Sequence, residues 1–362
     1  MDKIIKNVLK KIESEGYEAY IVGGFVRDLL LYKNSFDVDI CTNAKPKDLI
    51  NVFSAKQKAN NYGGFNIKIK NYNIDITTYR KEKAYSNRHP IEIEYVSNLF
   101  EDIKRRDFTI NAICMDKNEK IIDLLNGKED INDGIIRSIG SAEKKFKEDP
   151  LRMLRAIRFA SILNFDIEKN TYKEICNNCT LVSSLSKERV KEELIKILSN
   201  KNFKKGLELL KETGISDVIG LSYNEDITFT LDILGMLSQI DIKYIEYTKE
   251  EKDNIEKIKE ILMTKQINNF TIFNYGLYLS YAAGEVLNIN KQTINKIYKT
   301  MPIKCMKDID ITGSEIIKLL GIEPSKKISE IFNDLKVQIL KGNLKNKNNE
   351  IKKYILERYK HE

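Results

Sequence analysis

The stretch at residues 23–39 reads GGFVRDLLLYKNSFDVD and holds a Gly-Gly turn, a VRDLLL segment and an Asp-x-Asp pair within seventeen residues. Just ahead of it, Glu18-Ala-Tyr-Ile-Val22 has the character of a short buried strand. The strand runs directly into Gly23-Gly24, a pair that lets the backbone come close to a ligand and turn N–H groups toward phosphate oxygens when a helix follows. Phe25-Val-Arg-Asp-Leu-Leu-Leu31 supplies the helix, with Arg27 as a bidentate phosphate donor. A Gly-Gly pair alone is also a plain tight turn; the helix and arginine behind it favour phosphate.

Phe36-Asp-Val-Asp-Ile40 alternates as a strand does, with Phe36, Val38 and Ile40 expected inward and Asp37 and Asp39 on the opposite face. Two carboxylates on one face, about 7 Å apart at the backbone, can converge on a pair of Mg²⁺ ions roughly 4 Å apart, as nucleotidyl transfer needs. An Asp-x-Asp pair also occurs on solvated strand faces. Coming after a strand, a Gly-Gly turn and a helix, it points to metal.

Outward from this stretch, residues 2–15 carry Ile4, Ile5, Val8, Leu9 and Ile12 at helical spacing, a packing helix. Residues 44–53 read as a proline-opened helix, and residues 64–70 and 72–80 as two strands joined by a polar turn. Asp75 falls on the polar face of the second strand, either a third carboxylate near the metals or a surface charge. Residues 81–90, KEKAYSNRHP, are expected to form a polar, basic loop.

Composition narrows the chemistry. A chain of 362 residues with 42% apolar content can bury more than one core. With 61 basic against 53 acidic side chains the net charge is +8, which favours a polyanionic partner without requiring one. Five scattered cysteines do not make a disulfide scaffold, so a reducing, cytoplasmic setting is expected. Cys176-x-x-Cys179 lacks a second ligand pair for zinc and is read as packing. No apolar run approaches the roughly 18 residues of a membrane span, and the charged first residues do not resemble a signal peptide. Histidine occurs only at His89 and His361, which excludes a His/Asp phosphohydrolase and leaves any Ser-His-Asp mechanism to His89 alone.

Residues 105–112 (RRDFTINA) and 148–160 (EDPLRMLRAIRFA), taken with residues 23–39, resemble the bacterial class II tRNA nucleotidyltransferase and poly(A) polymerase family, within the polymerase-β-like nucleotidyltransferases. Residues 186–193 (SKERVKEE), 206–214 (GLELLKETG) and 310–321 (DITGSEIIKLLG) match in family order, and residues 222–300 show only helical patterning. The resemblance implies an α+β fold: a nucleotidyltransferase head (1–140) with a mixed β-sheet flanked by helices, then an all-α neck (141–200), body (201–290) and tail (291–362). It implies Mg²⁺ as cofactor, CTP and ATP as substrates and a tRNA acceptor arm as partner, with no protein partner and no membrane.

Within the resemblance, Arg106 reaches the triphosphate and Asp107, with Asn111 four residues on, accepts from the ribose; a purely structural ion pair is the competing reading. The family sets Asp149 and Arg152 against the Watson–Crick edge of the incoming base, with Glu148 orienting them and Arg155 and Arg158 near the triphosphate. Cytosine and adenine both offer an exocyclic amine beside a ring-nitrogen acceptor, so one carboxylate and one guanidinium satisfy either. Uracil and guanine oppose acceptor to acceptor and donor to donor. The competing reading of Asp149 is a helix cap ahead of Pro150, and the three-residue recurrence of Arg152, Arg155 and Arg158 sets Leu151, Leu154 and Phe159 on other faces of their helix. Basic surface in the helical remainder is a solvated face or a grip on tRNA phosphates. CCA addition or repair is the leading reading. A poly(A) polymerase, an enzyme adding only CC or only A, and an inactive RNA-binding protein are the alternatives, residues 81–90 being where full and partial enzymes should differ.

Overall fold

Helix α1 (Lys3–Glu13) starts where Asp2 Oδ1 accepts the Ile4 N–H at 2.7 Å, and it buries Ile5, Val8, Leu9 and Ile12, the face the spacing calls for. The chain then runs through β1 (Ala19–Val22), α2 (Gly24–Leu30), β2 (Asp37–Thr42), α3 (Pro46–Phe53), β3 (Gly64–Ile69) and β4 (Tyr72–Thr78). The structure, a computed structural model, describes residues 1–53, 64–86 and 89–360. Its contacts divide the chain into two units, Met1–Leu221 with Ile242–Glu246, and Ser222–Asp241 with Tyr247–Glu362.

In the first unit six strands form a mixed sheet in the order β3-β4-β2-β1-β7-β8, where β7 is Cys114–Met115 and β8 is Ile121–Ile122. Only β2 and β4 are parallel, and their register sets Asp39 beside Asp75. The period of two buries Val38 and Ile40 of β2 with Ile74 and Ile76 of β4 and leaves the aspartates on the other face. Phe36 departs from expectation: it precedes β2, is 55% exposed and lies against Tyr72 at 6.0 Å between ring centroids. The alternation was extended one residue too far.

Within residues 81–90, expected to be a loop, residues 81–86 and 89–90 are strand. β5 (Arg80–Ser86) and β6 (His89–Tyr95) pair antiparallel as a separate two-stranded sheet. Lys81, Glu82 and Lys83 carry no apolar alternation, so a strand polar on both faces read as a connection. Residues 87 and 88 lie outside the described residues.

Beyond α4 (Leu99–Lys104) and α5 (Gly127–Asp133), the chain is mainly helical: α6 (Ala142–Glu148), α7 (Leu151–Leu163), α8 (Lys169–Asn178), α9 (Lys187–Leu198), α10 (Phe203–Glu212) and α11 (Ile215–Ile219). Strand structure does persist past residue 141, against expectation, because Asp166–Ile167 pairs in parallel with Ile135–Ile136. Two-residue strands leave no periodicity to read. Gly206 lets α10 approach α9 and α7: a Cβ there would run into Ile197 and lie 3.1 Å from Ser161 Oγ.

The second unit contains α12 (Ile233–Leu237), α13 (Lys249–Thr264), α14 (Asn269–Val286), α15 (Lys291–Thr300), α16 (Gly313–Leu320), α17 (Lys326–Lys341) and α18 (Asn348–Tyr359). Ile255, Ile258 and Ile261 form the buried stripe of α13. Gly284 of α14 makes room for α15, since an added Cβ would lie 2.5 Å from Ile294 Cδ1. Thr312 and Glu315 form a capping box at α16, and a hydrogen bond from Lys352 leads the contacts that hold the Glu315 carboxyl down at about 2. Asp334 fastens α17 to α18 by accepting the Tyr354 and Tyr359 hydroxyls at 2.7 and 2.9 Å. Among the described residues no helix is long and apolar enough to cross a membrane.

Candidate active site

Antiparallel pairing sets Val22, the last residue of β1, opposite Asp39. Gly23 follows with φ +80°, and a Cβ on it would lie 2.8 Å from Asp39 Oδ2. Glycine is therefore required twice, for the backbone angle and for room beside the carboxylate. Gly24 opens α2, where a Cβ would touch Arg27 Nη2 at 3.4 Å.

Asp37 and Asp39 are exposed on one face of β2, and Asp75 Oδ1 accepts from Asn66 Nδ2 at 2.7 Å. Among the described residues no three or more His, Cys, Asp or Glu side chains gather into a metal cluster. Two carboxylates with open positions nevertheless suit Mg²⁺, which keeps waters and takes one or two carboxylates plus substrate phosphates. The Asp39 carboxyl is pushed up by the surrounding protein, against the pull of Arg106, and further by Asp75 and Asp37. That crowded negative charge is what a bound cation would relieve.

A cleft of about 510 Å³ gathers Gly24, Arg27, Asp39, Arg106, Asp107 and Asn111 from the sheet side with Asp149, Arg152, Arg155 and Arg158 from the helical side. Of the expected site residues, Asp37, Asp75 and Glu148 lie outside its lining. Six arginines against three aspartates give the lining an excess of positive charge, suited to a triphosphate. Arg106 Nη2 reaches Asp102 Oδ2 at 3.2 Å, while its buried Nε has no hydrogen-bond partner.

A polar chain crosses the cleft. Arg27 Nη1 donates to Asn111 Oδ1 at 2.6 Å, and Asn111 Nδ2 donates to Asp107 Oδ1 at 3.2 Å. Arg155 closes on Asp107 Oδ2 through Nε at 2.8 Å and Nη2 at 2.6 Å. Both Asp107 oxygens are thus engaged, which is the ion-pair arrangement. Burial acts to raise the Asp107 carboxyl, but the charge and hydrogen bond of Arg155, helped by Asn111 and the Phe108 N–H, bring it down from 3.8 to about 2.

That depression contributes stability that is complete above pH ~4 and fades as pH falls through about 2, on the order of 2 kcal/mol. Asp107→Asn is expected to be less stable than wild type by about that amount at pH 6, with the gap narrowing toward pH 2.5 in urea titrations. A gap constant with pH would contradict the assignment.

Arg158 is paired with buried Glu193, Nε lying 3.2 Å from Oε2, and burial pulls the arginine's pKa down. At the other end of the cleft, Asp149 Oδ1 accepts the Leu151 N–H at 3.2 Å, so the carboxylate does cap α7. The cap uses one oxygen; Oδ2 lies 3.7 Å from Arg189 Nη2. Arg152 Nη1 donates to Glu148 Oε2 at 3.0 Å and to the Lys145 carbonyl at 3.1 Å, fixing the plane of its guanidinium.

Sequence reasoning missed four residues here. Gly23 was one of a pair with no means of ranking them, and Arg189 sat in a matched segment without a role. Arg105 was passed over beside Arg106. Phe159 was assigned to another helix face, yet it lines the same cleft as Arg155 and Arg158, because four residues bring the chain once around.

Three family profiles match the chain: "Poly A polymerase head domain" over residues 19–137, "Probable RNA and SrmB- binding site of polymerase A" over 164–222, and tRNA nucleotidyltransferase domain 2 over 227–355. The chain is 34% identical to a CCA-adding enzyme of Ligilactobacillus salivarius, over 94% of this chain and 92% of that one. It is 31% identical to a CCA-adding enzyme of Staphylococcus epidermidis, over 97% and 96%. The solved CCA-adding enzyme of Bacillus stearothermophilus in complex with CTP superposes with a TM-score of 0.85 at 26% identity, covering 100% of this chain and 99% of the other. On these relationships, which run nearly end to end, the chain belongs to the CCA-adding enzyme family of tRNA nucleotidyltransferases.

Proposed function

We propose that this protein adds or repairs the 3′-terminal CCA of tRNA from CTP and ATP without a nucleic-acid template. The observation that carries the reading is that Asp149 and Arg152 share one cleft with Asp39, although about 110 residues separate them in sequence. Reaction chemistry and base selection can then act on a single nucleotide.

In this reading the family's divalent cation is Mg²⁺, held by Asp37 and Asp39 with Asp75 alongside. Two such ions would lower the pKa of the tRNA 3′-hydroxyl and offset the charge of departing pyrophosphate. Arg27, Arg106, Arg155 and Arg158 bind the triphosphate, Gly24 allows its close approach, and Asp107 with Asn111 holds the ribose side. Asp149 accepts from the exocyclic amine of C or A while Arg152, steadied by Glu148, donates to the ring nitrogen. The helical remainder grips the acceptor arm by shape and phosphate charge.

The test uses tRNAs ending at the discriminator base, at C and at CC, each incubated with one nucleotide at a time. Two C additions followed by one A are expected. Long A tails would select poly(A) synthesis, and arrest after CC a partial enzyme.

A further inference from the structure

Three of the arginines assigned to the triphosphate converge on one ring. The guanidinium carbons of Arg158, Arg27 and Arg155 lie 4.3, 5.1 and 5.3 Å from the centroid of Phe159. All three arginines and the ring line the cleft. Phe159 is itself held edge-on by buried Phe108, 5.8 Å away at 81°.

Three cations this close repel one another, and a carboxylate compensates each: Asp28 for Arg27, Asp107, itself in the cleft lining, for Arg155, and Glu193 for Arg158. Between them stands a hydrocarbon ring whose π-cloud attracts guanidinium without accepting a conventional hydrogen bond. An acidic residue at the same place would neutralise the anion site. An aliphatic one would fill the volume but attract nothing. Phenylalanine draws the arginines together and takes up none of the N–H groups that Asp28, Asn111, Asp107 and Glu193 do not already engage.

We propose that Phe159 is a positioning residue for triphosphate binding, its ring setting the separation of the Arg27, Arg155 and Arg158 guanidiniums so that they meet the phosphate oxygens together. The proposal rests on the assignment of those arginines to the triphosphate. Phe159 itself touches no reacting atom in this scheme.

The test compares Phe159→Leu and Phe159→Tyr with wild type in the full-length protein, measuring equilibrium affinity for CTP and for CMP, together with thermal melting. Loss of the ring should weaken CTP about tenfold and leave CMP within about twofold. The CTP-to-CMP ratio would therefore fall, and Tyr, which keeps the π-face, should restore it. Packing alone would lower the melting temperature without moving the ratio. Should the Leu variant fail to fold, Phe159→Met gives the same comparison with a side chain that fills irregular space. A wild-type preference for CTP over CMP that persists unchanged in the ring-less variant overturns the role of Phe159 alone. No preference in wild type overturns it together with the triphosphate assignment.

Discussion

Replacing Asp37 or Asp39 with alanine will lower CCA incorporation by on the order of 10³-fold or more, with tRNA affinity within about twofold of wild type. A metal pair that activates the attacking hydroxyl and stabilises the leaving group supplies several kcal/mol, and each ~1.4 kcal/mol is a factor of ten in rate. Loss of fold can be separated from loss of chemistry at Asp39. Its carboxyl is pushed up by desolvation from the surrounding protein and by the neighbouring Asp75 and Asp37, against the pull of Arg106. Asp39 is exposed on its strand, so Asp39→Ala should keep the wild-type fold, checked by circular dichroism, while losing activity. A folded Asp39→Ala variant that keeps substantial activity contradicts the metal assignment.

The second large effect is on selectivity. Arg152 is 8% exposed and its guanidinium is anchored by Glu148 and the Lys145 carbonyl. In the proposed base reading, Arg152→Ala would remove the donor to the ring nitrogen of C or A and leave Asp149 to face the base alone. A site built around a hydrogen bond discriminates strongly because the wrong partner leaves buried groups unpaired. Catalytic efficiency with CTP and with ATP should each drop by about 10²-fold. Efficiency with UTP and GTP, which the proposed base reading makes low from the start, should change far less, so the discrimination ratio collapses. Arg152→Lys should rescue it poorly, since a flexible ammonium lacks the fixed plane that Glu148 orients. Equal losses for all four nucleotides would show that Arg152 supports structure without reading the base.

What was legible in the sequence was local. Gly23-Gly24 and the alternation of Asp37, Val38, Asp39 and Ile40 are set by short periods, so the strand, turn and helix could be read directly. The spacing of Asp149, Pro150 and Arg152 likewise foretold a helix start with a carboxylate and a guanidinium at its mouth. Partnerships across the fold were not legible. Arg27 meets Asn111 across 84 positions, Asp107 meets Arg155 across 48, and Arg158 meets Glu193 across 35. Only the assembled fold, with α7 packed on α9, brings these groups together. The hairpin at β5 and β6 escaped for another reason: it forms a sheet of its own, and its first strand has no apolar face to set a period.

If Asp149 and Arg152 select C and A, then CTP, ATP, UTP and GTP must compete unequally for the tRNA-free protein in the presence of Mg²⁺. CTP and ATP are expected to displace each other from one site, with UTP and GTP weaker by about 10²-fold. Four nucleotides of nearly equal affinity, or CTP and ATP bound independently, would contradict base reading by Asp149 and Arg152.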